Sequence, residues 1–138
     1  MKCPMIRLTL LSLFAVAGTL QAEDAIVLNP ASTVPAISED QFKDLFLGKR
    51  LAWDDGSKVV VVLVKDGPAN DILMKRLGKT PQQFQTGWKK LVFTGKGAMP
   101  EQVDSEDALV AFVAKTPGAI GFVDKAKAKD PVKAIAAP

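Results

Sequence analysis

The chain has 138 residues, 48% hydrophobic, 24% charged and 7% aromatic, with a formal net charge of +3, which is ordinary globular usage for one domain. Histidine and tyrosine are absent and Cys3 is the single cysteine, so Ser-His-Asp and Cys-His nucleophiles and the usual zinc and copper ligand sets are excluded. Carboxylates, lysines and Ser/Thr hydroxyls remain for chemistry.

The first segment reads as an address. Lys2 and Arg7 flank the start of an apolar run from Leu8 to Ala17, and Leu20-Gln21-Ala22 supplies a small-residue ending, the three-part layout of a secretory signal peptide. The run is far short of the roughly 20 residues that span a bilayer, so residues 1–22 are expected to be cleaved after Ala22 rather than to anchor the chain. Cys3 precedes the apolar run, where a lipid-modified cysteine would follow it. Cleavage lowers the net charge from +3 to +1, because Lys2 and Arg7 leave with the signal. A nearly neutral domain lacks the concentrated basic face that phosphate backbones require, which excludes nucleic acid as a partner. Residues 23–138 carry no cysteine, so their stability must come from a packed core.

Ala25 to Asn29 (AIVLN) reads as a buried strand stopped by Asn29-Pro30. Ser38 and Gln41 have capping-box spacing, and Phe42, Leu45 and Phe46 share one helical face, with Gly48 as the stop. Residues 49–58 read as a loop with a tight turn at Asp55-Gly56. Val59 to Val64 (VVVVLV) does not alternate, which predicts a central strand covered on both faces. Pro68 suits the first turn of a helix running to Leu77. Thr80, Pro81 and Gln83 open another helix, whose apolar stripe is Phe84, Trp88, Leu91 and Val92. Residues 93–100 form a glycine-rich loop. Asp104 or Ser105 caps a helix carrying Leu109, Phe112 and Val113, and AIGFV (residues 119–123) is a last buried strand. The order predicts an α/β domain over residues 23–124, a small, mainly parallel sheet flanked by helices. Residues 125–138 form a Lys/Ala/Pro-rich, weakly structured tail in which VKAI could add an edge strand; its lysines read as solvated.

Three places could carry chemistry. The junction after Val64 leaves a buried strand and enters a helix, where free backbone N–H groups and the helix dipole favour an anion. There Lys65 brings charge, Gly67 allows close approach and Asn70 can donate. Against these stand Pro68, which has no N–H, and the like-charged Asp66 and Asp71; a capped turn with exposed charges explains the same residues. Thr94-Gly95-Lys96-Gly97 has a hydroxyl, an ammonium and two glycines but lacks full phosphate-loop spacing, and a plain turn explains it as well. The carboxylate pairs Glu39-Asp40 and Glu106-Asp107 fall in first turns, where they complement helix dipoles, and Asp54-Asp55 precedes a glycine turn. Trp88 belongs to a core stripe, whereas Trp53 either folds over the core edge or lines a cleft.

SEDQFKDLFLGKRLAWDDGSKVVVV, the Trp88 helix, FTGKGAMP and TPGAIGFV together resemble the phosphate-binding periplasmic proteins of ABC importers, and more narrowly a short, single-lobe group of them. The most specific pieces are Leu45 to Lys49 with Trp53, Asp55 and Gly56 behind, and Pro117 to Phe122. The resemblance implies one lobe of a type 2 periplasmic-binding-protein fold, no cofactor, no enzymatic activity and a Gram-negative periplasmic location. It places an oxyanion site at Lys65, Gly67 and Asn70, joined by Thr94 and Lys96. Family members carry an arginine followed shortly by Asp-Gly-Ser-Gly-Thr. Here Asp66-Gly67 matches, then Pro68, Ala69 and Asn70 replace the serine, glycine and threonine, and Lys65 lies near the arginine's place. A hydroxyl and a backbone donor are lost, and a guanidinium fork gives way to a single ammonium. The expected function is weak binding of phosphate or another small oxyanion. The alternative is an interaction module that has lost its ligand and docks a transporter or sensor subunit.

Overall fold

The computed structural model describes residues 24–129 and 131–138; the expected signal peptide lies outside the described residues. The elements are β1 (Asp24–Leu28), α1 (Glu39–Phe46), β2 (Val60–Val64), α2 (Pro68–Leu77), α3 (Pro81–Phe93), β3 (Glu101–Val103), α4 (Glu106–Lys115), β4 (Ala119–Asp124) and β5 (Lys133–Ala136), with a 3-10 turn at Lys125–Lys127. One sheet holds all five strands in the order β3-β2-β4-β1-β5. β2 runs parallel to β3 and β4, while β1 runs antiparallel to both β4 and β5. The three strands β2, β3 and β4 are therefore the parallel unit; β1 alone runs against them, and β5, antiparallel to β1, returns to their direction.

The unbroken apolar runs are buried on both faces, as a covered strand requires. Along β2, Val61 and Leu63 join one core cluster while Val62 and Val64 join the other. β4 divides the same way: Ile120 and Phe122 face the first cluster, Ala119 and Val123 the second. The first cluster is roofed by Phe42, Leu45 and Phe46 of α1, Leu73, Met74 and Leu77 of α2, and Phe84 and Trp88 of α3. The second is covered by Leu109, Val110 and Val113 of α4, with Val132 of the C-terminal segment beside them. Gly121 lets α4 approach this closely, since a Cβ there would sit 2.3 Å from Leu109 Cδ2.

Local sequence sets the helix ends. Ser38 and Thr80 each complete a capping box, accepting from the backbone N–H of Gln41 and Gln83 while those glutamines accept from the cap N–H. Ser105, rather than Asp104, caps α4 by accepting from the Ala108 N–H. Two strands depart from the expected pattern. β3, inside the segment between the glycine-rich loop and α4, is a three-residue edge strand with no apolar signal. The tail is more ordered than its composition suggests: β5 pairs with β1, and Val132 and Ile135 are buried.

Candidate functional site

β2 ends at Val64, and Lys65 to Gly67 carry the chain into α2. Gly67 is the N-cap at φ +124°, a backbone conformation that glycine adopts without strain. No side chain caps α2, and its first helical bond runs from the Asp71 N–H to the Gly67 carbonyl at 3.2 Å. The N–H groups of Ala69 and Asn70 are thus the orphan donors of an uncapped helix start, since Pro68 has none to offer. Beside them lies a hollow of about 240 Å³, lined by Gly67, Pro68 and Ala69, by Asp104 to Asp107 at the start of α4, and by Lys127. It opens at the carboxyl ends of parallel strands, where α/β sheets hold ligands.

The hollow's charge is mixed. Lys65 is exposed and pairs with Asp104 at 3.3 Å. Lys127 from the 3-10 turn lines the wall, facing Asp66, Asp104, Glu106 and Asp107. Glu106 is already engaged, because its Oε1 accepts the Asp124 N–H at 2.9 Å and ties α4 to the end of β4. Two ammonium groups therefore stand among several carboxylates, and an arriving anion must compete with Asp104 for Lys65.

Of the five residues singled out in the sequence, the structure gathers Lys65, Gly67 and Asn70 at this junction. Gly67 lines the hollow, whereas Lys65 and the half-buried Asn70 flank it. Thr94 and Lys96 lie elsewhere. They close the C-terminal turn of α3, where the Thr94 hydroxyl donates to the carbonyls of Lys90 and Leu91 and the Lys96 N–H donates to Leu91. A Cβ on the adjacent Gly97 would sit 3.4 Å from Leu51, whose carbonyl accepts from Val59 just before β2 begins. Their turn is therefore near the start of β2, the end of the sheet opposite Lys65. Lys127 and Asp104 are the residues of the hollow that the sequence did not single out. No periodicity marks Lys127: it is placed by a turn that the Asp124 side chain caps through the Ala126 N–H.

A larger cavity of about 310 Å³ lies at that opposite end, between the β1–α1 connector, the 50–57 loop and Pro117 to Ala119. Trp53 both packs on the core and lines this cavity, with its Nε1 donating to the Gly118 carbonyl at 2.9 Å. Arg50 beside it is already occupied by the Asp54 carboxylate and the Ala52 carbonyl. Among the described residues, no group of three or more His, Cys, Asp or Glu side chains is arranged to hold a metal.

No family model matches the chain, and no curated protein does. Solved structures do. One is a phosphate ABC transporter substrate-binding protein with bound phosphate from Clostridium perfringens, with TM-score 0.67 and 19% identity over 82% of this chain and 44% of that one. An ABC-type phosphate transport receptor from Vibrio cholerae gives TM-score 0.56 and 20% identity over 82% of this chain and 45% of that one. PstS from Borrelia burgdorferi gives TM-score 0.63 and 15% identity over 83% of this chain and 46% of that one. The chain spans less than half the length of each. In fold, the chain is similar to part of each of these phosphate ABC transporter substrate-binding proteins.

Proposed function

We propose that the protein is an exported, periplasmic, non-enzymatic solute-binding protein that holds phosphate or another small oxyanion weakly at the β2–α2 junction. The observation that carries this is the uncapped start of α2, whose Ala69 and Asn70 N–H groups have no side-chain acceptor. Gly67 allows an anion to approach the backbone, Lys65 supplies charge and the Asn70 amide can add a donor. Thr94 and Lys96, at the far end of the sheet, take no part. An oxyanion that keeps a proton at neutral pH, as phosphate does in part, can also donate to a carboxylate such as Asp66. The bound phosphate in the Clostridium perfringens structure supports the ligand class.

Weak affinity follows from the same geometry. Lys65 and Asp104 are both exposed, so an anion beside them stays partly in water, where Coulomb attraction is small, and Asp104 competes for Lys65 at 3.3 Å. The partner on this reading is a membrane or sensor subunit of a phosphate transport system. Isothermal titration of inorganic phosphate at low salt tests it. Saturable heat that Lys65→Ala reduces several-fold is the expected result. Absence of heat up to millimolar phosphate rejects anion binding at this junction.

A further inference from the structure

The C-terminal end of α3 carries the most exposed large apolar side chain among the described residues: Phe93 is 93% exposed, with Val92 at 38% and Met99 at 41% in the loop that follows. Trp88, by contrast, is buried against α1 and donates to the Phe46 carbonyl at 3.0 Å. Packing has therefore consumed the inner face of α3 and left Phe93 standing in water, where it stabilises nothing in the fold. Lys89 and Lys90, four and three residues before Phe93, share its helical face. Lys96 follows in the closing turn, and all three lysines are exposed. Among the described residues no ion pair involves Lys89, Lys90 or Lys96, whose pairing would otherwise neutralise the face.

The charge pattern along the chain is one-sided. Between Asp71 and Glu101 there is no carboxylate, while Lys75, Arg76, Lys79, Lys89, Lys90 and Lys96 supply six positive charges. Acidic residues crowd the opposite end of the parallel strands, at Asp66, Asp104, Glu106 and Asp107. The chain thus carries a lysine-flanked apolar tip within a stretch free of carboxylates, with Asp54 and Asp55 of the 50–57 loop at the same end of the sheet.

We infer that this tip docks on an anionic lipid surface, with Phe93 inserting at the headgroup boundary and Lys89, Lys90 and Lys96 meeting lipid phosphates. An almost fully exposed ring on a helix end protrudes, so it fits a yielding planar surface better than a rigid groove. Each lysine brought near an anionic bilayer strengthens binding by roughly fivefold, and an inserted phenyl ring adds roughly tenfold or more. Docking of this kind is reversible, because it lacks the two strong anchors that stable attachment takes. Thr94 ends α3, and Gly95 at φ +74° turns the chain so that the Lys96 N–H donates to the Leu91 carbonyl. The anion junction at Lys65 plays no part.

The test is co-sedimentation of the protein with vesicles of phosphatidylcholine alone and of phosphatidylcholine with phosphatidylglycerol. Binding is expected to the anionic vesicles only, weakening as salt rises within the Debye regime. Lys89→Gln with Lys90→Gln is expected to weaken it roughly twentyfold or more, and Phe93→Ser roughly tenfold or more. Each of these positions is exposed, so both variants are expected to keep the wild-type unfolding midpoint. No sedimentation with anionic vesicles overturns the assignment, as does binding that neither variant weakens. Sedimentation of the protein without vesicles is the second arm. Self-association that Phe93→Ser abolishes gives the tip to a second copy of this chain, and it too overturns the lipid assignment.

Discussion

The Trp53 indole Nε1 donates to the Gly118 carbonyl at 2.9 Å, across 65 residues of chain. The same carbonyl accepts the Val60 N–H at 3.0 Å, at the first residue of β2. One oxygen therefore joins the 50–57 loop, the start of β2 and the turn into β4. Gly118 can present it there because it sits at φ +80°, and a Cβ would lie 2.2 Å from the Lys58 carbonyl oxygen.

Gly118→Ala is expected to destabilise the fold by about 2–4 kcal/mol. The left-handed conformation alone costs a side chain roughly 1–2 kcal/mol, and the contact with backbone oxygen forces further movement. Trp53→Phe removes one of two donors to a carbonyl that keeps the other, so its cost is about 0.5–1.5 kcal/mol. Urea unfolding of both variants checks the ranking. Equal losses would mean that the indole, not the glycine, holds this junction.

Trp88 makes the corresponding tie on the helical side. Its Nε1 donates to the Phe46 carbonyl at 3.0 Å while its ring packs against Phe84 at 6.4 Å between centroids. Trp88→Phe keeps most of the packing but strands a buried carbonyl, costing about 1–3 kcal/mol. Trp88→Ala leaves a cavity as well and is expected to cost about 3–5 kcal/mol. A Phe variant as unstable as the Ala variant would show that the hydrogen bond, not the ring volume, dominates.

Much of this was legible in residues whose chemistry acts locally. Ser38-Gln41 and Thr80-Gln83 specify helix starts by themselves, and the unbroken run of Val59 to Val64 specifies a strand with two buried faces. β3 was not legible, because Glu101 and Gln102 are strand only by virtue of pairing with Val62 and Leu63. The site was legible in part. Lys65, Gly67 and Asn70 are neighbours in sequence and so remain neighbours in space. Thr94 and Lys96 belong to a different loop, and which end of the sheet that loop reaches depends on a parallel crossover. Lys127 entered the hollow from a tail whose composition gives no sign of order.

Asp24 makes stability fall with rising pH. Partial burial of its carboxyl, the largest cause, raises its pKa above 3.8; Arg76 opposes this at 3.7 Å, while Asp124 and Glu106 reinforce it. The folded state thus holds the proton more tightly than the unfolded chain. The stability Asp24 contributes is complete below pH 3.8 and is lost as pH climbs through the raised folded value. Asp24→Asn mimics the neutral form, so its stability relative to wild type is expected to grow from pH 4 to neutrality. Denaturant titrations at several pH values read this difference directly, and a gap that narrows as pH rises contradicts the sign. Asp55 works in the opposite sense: hydrogen bonds from Ser57 lower its pKa, so its contribution is present above 3.8 and is lost on acidification.

The balance of charge at the β2–α2 hollow predicts a gain of function rather than a loss. Asp104 holds the Lys65 ammonium at 3.3 Å, and an oxyanion arriving at the free N–H groups of Ala69 and Asn70 needs that same ammonium. Both partners are largely exposed, so the pair itself is worth little to the fold. Asp104→Asn is therefore expected to leave stability nearly unchanged while tightening phosphate binding several-fold, since it removes a like charge from the site and releases the lysine. Ser105 still caps α4, so the helix start is preserved. On the Lys65→Ala background Asp104→Asn should gain much less, only what removal of the like charge gives, because the released ammonium group is no longer there. Titration calorimetry of the four proteins closes the cycle. Additive effects across it would place the bound anion away from Lys65.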